Sequence, residues 1–166
     1  MESLFDLRTL CCFDQVDALV RDVRVEATWR PPAEAFARHF PLWRMVPGSL
    51  VLEAFAQLGS LLLETSGGFA WKALPAWIER ARFRRPIEGT EPVFLAVCRV
   101  QGDPTGAVLE AEARQADEVR ATARFGYVLA PISRFYAPEH LREYRAWVDG
   151  RLTPAARAGL QPGAVP

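Results

Sequence analysis

Alternation of apolar and polar residues divides the chain into one helix-like run and a series of strand-like runs. Val23, Val25, Ala27 and Trp29 alternate with Arg24, Glu26, Thr28 and Arg30, the period-two pattern of a half-buried strand. Cys12 to Val20 predicts a strand before it, and residues 3–10 a short amphipathic lead-in. Pro31-Pro32 ends the second strand, because proline cannot donate to a ladder. Pro32 to Met45 then reads as a turn and a loop. From Pro47 the pattern becomes helical. Ser49 to Leu63 is apolar with one ionisable residue, Glu53. A helix from Pro47 to about Thr65, stopped by Gly67-Gly68, would be about 27 Å long at 1.5 Å per residue. A membrane span wants about 20 apolar residues, and this run is shorter and broken by Glu53, Gln57, Gly59 and Ser60.

The remainder is strand-like. Leu74 to Phe83 is one candidate. Pro92 to Gln101 follows, apolar on both faces, which predicts a central strand. Gly102-Asp103-Pro104-Thr105-Gly106 is a turn by composition. Leu109, Ala111 and Ala113 alternate with Glu110, Glu112 and Arg114; Val119, Ala121, Ala123, Phe125 and Tyr127 alternate with Arg120, Thr122 and Arg124. The small inward residues let a sheet approach a thick helix closely. One long apolar helix followed by antiparallel strands with one wet face is an α+β layer arrangement. Glu139 to Trp147 predicts a short amphipathic helix with His140 at the surface. The tail from Thr153 is expected to be loose or packed on the outside. The division expected is a domain over residues 1–130 and a C-terminal extension over 131–166.

Composition narrows the function. Half of the residues are hydrophobic, enough for a core and too many for a disordered chain. Twenty basic and twenty acidic residues cancel, so no global field attracts nucleic acid or membrane. Three unpatterned cysteines (Cys11, Cys12, Cys98) fit neither a metal site nor a disulfide framework, and no signal peptide is evident, so a cytoplasmic setting is expected. Chemistry concentrates between residues 39 and 57. His39 is one of only two histidines, and Glu53 lies in an apolar run where a carboxylate is costly unless paired or neutralised. Taken singly, a structural histidine and a solvent-facing glutamate are the plainer alternatives.

His39-Phe40-Pro41, then Pro47-Gly48, then Glu53-Ala54-x-Ala56-Gln57 resembles the signature of the β-hydroxyacyl-acyl-carrier-protein dehydratases, which have the hot-dog fold. The fourteen-residue interval from His39 to Glu53 is that family's interval, and Ile78 to Pro86 is similar to its third-strand segment. Leu42, Arg44 and Val46 depart from the family pattern, which puts substrate fit and activity at issue. The resemblance implies a long central helix wrapped by an antiparallel sheet. It implies dehydration of acyl-carrier-protein-bound 3-hydroxyacyl thioesters to trans-2-enoyl thioesters, in fatty-acid or polyene/polyketide-type synthesis. His39 would be the base, Glu53 the acid or water-holder, the Gly48 N–H the oxyanion donor, and Gln57 a support for Glu53. No metal or organic cofactor is implied.

The resemblance also implies sites formed across a dimer, with His39 from one subunit and Glu53 from the other, as a homodimer or with another hot-dog subunit. Leu42, Leu50, Ala54, Ala81 and Phe83 are tunnel candidates, with plain core packing as the alternative. Arg44, Arg80, Arg82, Arg84 and Arg85 are candidates for receiving an acidic acyl carrier protein, with solvated strand charge as the alternative. Two further functions stay open: a non-catalytic hot-dog subunit that pairs with an active one, and a thioesterase.

Overall fold

The computed structural model describes residues 11–33, 42–89 and 91–161. The lead-in over residues 3–10 falls outside them. Six strands form one antiparallel sheet: β1 (Gln15–Val20), β2 (Arg24–Trp29), β3 (Trp71–Phe83), β4 (Val93–Asp103), β5 (Gly106–Gln115) and β6 (Glu118–Pro131). Their order across the sheet is β1-β2-β4-β5-β6-β3. The long helix α1 (Gly48–Ser66) packs on one face, and two shorter helices, α2 (Pro138–Asp149) and α3 (Pro154–Ala158), follow the last strand.

Helix α1 begins immediately after Pro47, whose carbonyl accepts from the N–H of Leu50 at 3.0 Å. It ends where Gly67 and Gly68 cap the last carbonyls. Gly68 takes φ +61°, a turn that costs a glycine little. Val51, Ala54, Phe55, Leu58, Leu61 and Leu62 recur at helical spacing and are buried against the sheet. The two halves of α1 differ in cover. Every residue from Leu58 to Ser66 is buried, whereas Glu53 is exposed and Leu52, Ala56 and Gln57 are half-buried. The helix is therefore wrapped on all sides only in its second half.

Close approach of helix and sheet depends on small residues, as the alternation predicts. Ala111, Ala113, Ala121 and Ala123 are buried on the inner face. Gly59 meets Tyr127, whose hydroxyl donates to the Ala56 carbonyl at 3.0 Å. Strand β4 is central in order, but its second face is not covered: Phe94 and Val100 are exposed. The single helix layer lies on one face only, so apolar residues on both faces of β4 do not mean burial on both. The tail is packed over its described part, residues 153–161. Thr153 caps α3 by accepting from the Ala156 N–H, and donates its own N–H to the Val16 carbonyl at 3.1 Å.

Two predictions follow from this packing. In Gly59→Ala the new methyl would collide with the Tyr127 hydroxyl and lie 2.8 Å from Leu109. Such overpacking is expected to cost about 1–3 kcal/mol, measured by urea denaturation. Burial pushes the Cys12 thiol up to about 12 and raises the Tyr127 and Tyr144 phenols from their ordinary value. The folded chain therefore holds protons that the unfolded chain gives up above about pH 9, so stability should fall as pH rises from there. Melting temperatures across that range should decline more gently in Cys12→Ala.

Candidate functional site

Residues four apart on a helix share a face, so Glu53 and Gln57 lie side by side. The Gln57 amide donates to Glu53 Oε1 at 2.8 Å, and its carbonyl oxygen accepts from the Cys12 N–H at 2.9 Å. A backbone N–H can only donate, so it fixes which end of the amide faces it and turns the NH2 end toward the carboxylate. Gln57 thereby holds Glu53 in one orientation. The Cys12 thiol nearby stays protonated, through burial first and the Glu53 charge second.

The same stripe of α1 continues as Ser60 and Glu64. Glu53, Gln57, Ser60 and Glu64 stand at intervals of four, three and four, so four polar side chains line one edge of an apolar helix. Ser60 donates to the Ala73 carbonyl at 3.0 Å. Glu64 is fully buried and accepts three donors: Lys72 Nζ at 2.8 Å and the Ala73 N–H at 3.2 Å on Oε1, and the Tyr144 hydroxyl at 2.8 Å on Oε2. A buried carboxylate is tolerated when it is paired and hydrogen-bonded in this way. Burial and then the Glu64 charge raise the Tyr144 phenol, so it remains a donor.

Along this stripe runs a cavity of about 380 Å³, within the range typical of small-molecule sites. Glu53, Gln57 and Ser60 line one side of it, Lys72 to Pro75 of β3 another, and Phe13, Tyr136, Tyr144 and Trp147 a third. Tyr144 stacks between Tyr136 and Trp147, and Trp147 meets Phe13 edge-on at 6.1 Å. The C-terminal segment thus supplies most of an aromatic wall.

The other expected site residues lie elsewhere, and His39 is outside the described residues. Gly48 opens α1, and five residues of helix turn Glu53 about 140° away from it. A side chain at Gly48 would lie 3.0 Å from the Phe83 ring, and Gly48, Val51 and Phe83 line a separate cavity of about 260 Å³. Among the tunnel candidates, Ala54 is in the core, Leu50 is half-buried, and Ala81 and Leu42 are exposed, Leu42 by 93%. None of these five lines the cavity beside Glu53. Arg44, Arg80, Arg82, Arg84 and Arg85 are all exposed. Arg80, Arg82 and Arg84 share an outer groove with Glu110 and Glu112, and Arg85 pairs with Glu118 at 3.1 Å.

The apolar run around Glu53 suggests a desolvated carboxyl, with a solvent-facing one as the alternative; the residue is exposed, because the wrapped half of α1 starts after it. Glu64, Lys72 and Tyr144 were not anticipated. The available signal was the four-three-four spacing of polar residues, which extends one residue beyond the apolar run at Leu63.

The helix wrapped by an antiparallel sheet is the hot-dog fold. A Streptococcus mutans UA159 protein solved bound to acetyl CoA superposes with a TM-score of 0.63 at 13% identity, over 78% of this chain and 98% of that one. The model of the FabA-like domain matches residues 17–119, and the chain belongs to the FabA-like family. It is 30% identical over 126 residues to a 3-hydroxyacyl-[acyl-carrier-protein] dehydratase FabZ of Rhizorhabdus wittichii, covering 73% of this chain and 80% of that protein. It is 30% identical over 99 residues to the FabZ of Protochlamydia amoebophila, covering 60% of this chain. The chain spans 64% of the length of that second relative, a little under two thirds. Among the described residues no helix is long and apolar enough to cross a membrane.

Removing the buried carboxylate tests how much the wall depends on it. Glu64→Ala strands the Lys72 ammonium among aromatic rings and is expected to cost about 3–5 kcal/mol. Tyr144→Phe, which removes one of three donors, should cost about 1–3 kcal/mol in the same denaturation experiment.

Proposed function

We propose that this chain dehydrates 3-hydroxyacyl thioesters carried by an acyl carrier protein, giving trans-2-enoyl thioesters in fatty-acid or polyene/polyketide-type synthesis in the cytoplasm. The observation that carries this is Glu53, oriented by Gln57 at the edge of a largely apolar cavity, in a chain of the FabA-like family. His39 removes a proton from the α-carbon. The C–OH bond breaks as Glu53 gives its proton to the departing hydroxyl, the α–β double bond forms, and water leaves. Charge that builds on the thioester oxygen is met by the Gly48 N–H, at the positive end of α1. A proton passing from the imidazolium to the carboxylate restores both groups.

A second copy completes the site in this proposal: His39 and the Gly48 N–H come from one subunit and Glu53 from the other, which is why Gly48 and Glu53 of one chain open on separate cavities. Glu53 is exposed in one chain, and a carboxyl acts as an acid near neutral pH when its charged form is desolvated. Cover is available from the open edge of β3, where Trp77, Ile78 and Phe83 are each about half exposed. An edge strand with unpaired backbone and apolar side chains is a template for pairing. We take the partner to be a second copy of this chain. Exposed Arg44, Arg82, Arg84 and Arg85 are the proposed contact for an acidic carrier protein.

The test uses the purified protein and a 3-hydroxyacyl thioester, followed by enoyl absorbance. His39→Ala and Glu53→Ala should each lose at least about a hundredfold in kcat. Mixing the two inactive variants, with time for subunit exchange, should restore roughly a quarter of wild-type activity, since half the dimers would hold one intact site. Wild-type turnover in either single variant would defeat the assignment. Release of free thiol would indicate a thioesterase, and inactivity relieved only by a different subunit would indicate a non-catalytic partner.

A further inference from the structure

The far end of the cavity beside Glu53 is not built for a plain hydrocarbon. Lys72, the only lysine of the chain, lines it. Its ammonium has three donors, of which Glu64 Oε1 takes one at 2.8 Å. Its other neighbours are the ring faces of Tyr136 and Tyr144, with Nζ at 5.7 and 5.2 Å from their centroids. Among the described residues the Lys72 ammonium therefore presents donors in excess of acceptors at this end. The Glu64–Lys72 pair is formally neutral, so a second carboxylate arriving there would face the Glu64 charge. A neutral oxygen meets no such repulsion.

We propose that Lys72 is a specificity-determining residue that selects acyl chains bearing a neutral hydrogen-bond acceptor, a hydroxyl or carbonyl oxygen, near their distal end. This rests on the dehydratase proposal above. The geometry gives the position of that oxygen. Glu53 and Glu64 are eleven residues apart, three turns of α1, so they share one face and are separated by about 16 Å along the axis. An extended chain advances about 1.2 Å per bond, so a chain of about ten to fourteen carbons reaches from the reacting centre to Lys72. A simple alkyl chain of that length would strip water from the ammonium and return no hydrogen bond. A site built around a donor rejects a ligand without an acceptor in this way.

The experiment measures kcat/KM of the wild-type protein for matched 3-hydroxyacyl thioesters of about ten to fourteen carbons, ending in methyl, hydroxyl or carboxylate. A 3-hydroxybutyryl thioester, too short to reach Lys72, reports the dehydration chemistry alone. The hydroxyl-ended substrate should exceed its methyl-ended match by about tenfold or more, with the carboxylate-ended one below the hydroxyl-ended one. In the double variant Lys72→Met/Glu64→Gln, which leaves no unpaired charge, the hydroxyl-to-methyl ratio should fall to about twofold or less. Turnover of the short substrate with equal or better use of the methyl-ended chain overturns this inference and leaves the dehydratase proposal standing. An unchanged ratio in the double variant also overturns it. Failure on every thioester, the short one included, overturns the dehydratase proposal and this inference with it.

Discussion

A single carboxylate with no access to water organises the region around the cavity. Glu64 draws an ammonium and a backbone N–H from β3 and a phenol from α2. Each of those donors would otherwise be buried or half-buried without its acceptor. The exchange fixes where the chain after β6 must lie. Once Tyr144 reaches Glu64, Tyr136 and Trp147 stack on either side of it, and the second half of α1 is covered all round. The C-terminal segment is thereby part of the cavity's construction, and the first half of the helix keeps an open stripe at Glu53.

The contrast between the two glutamates of α1 is physical. They lie on nearly the same face, three turns apart, and sequence gives them similar apolar neighbours. One is held by three donors in the interior. Among the described residues the other accepts one side-chain hydrogen bond, from the Gln57 amide, and is exposed. Burial and pairing make Glu64 a fixed structural anion, and they remove it from contact with any substrate. Openness leaves Glu53 accessible, and its surroundings would change under the second copy proposed above.

Much of this architecture was legible in the residues. The alternation in β2, β5 and β6, and the apolar run with its Gly67-Gly68 stop, place those elements within a few residues of where they stand. So does the Glu53–Gln57 pairing, because helical spacing alone decides it. What was not legible depended on contacts distant in sequence. Nothing local to Glu64 announces Tyr144, eighty residues on. The exposed face of β4 follows from having one helix layer, which no strand pattern records. The tunnel candidates lie ahead of α1 at Leu42, at the start of α1 and at the end of β3, whereas the cavity beside Glu53 is walled by the start of β3 and by the C-terminal segment. The position of His39 lies outside the described residues.

The strapping of the C-terminal tail along β1 has a consequence for assembly. Val16 donates to the Arg151 carbonyl and accepts from Thr153, and Leu152 bridges to Val16 in parallel. That border of the sheet is occupied by the chain's own backbone, while among the described residues the opposite border at β3 is bare. A ribbon with two bare borders can propagate from molecule to molecule. One with a selvedge on one side can be joined once and then stops, so the union through β3 proposed above would yield a closed pair and no filament.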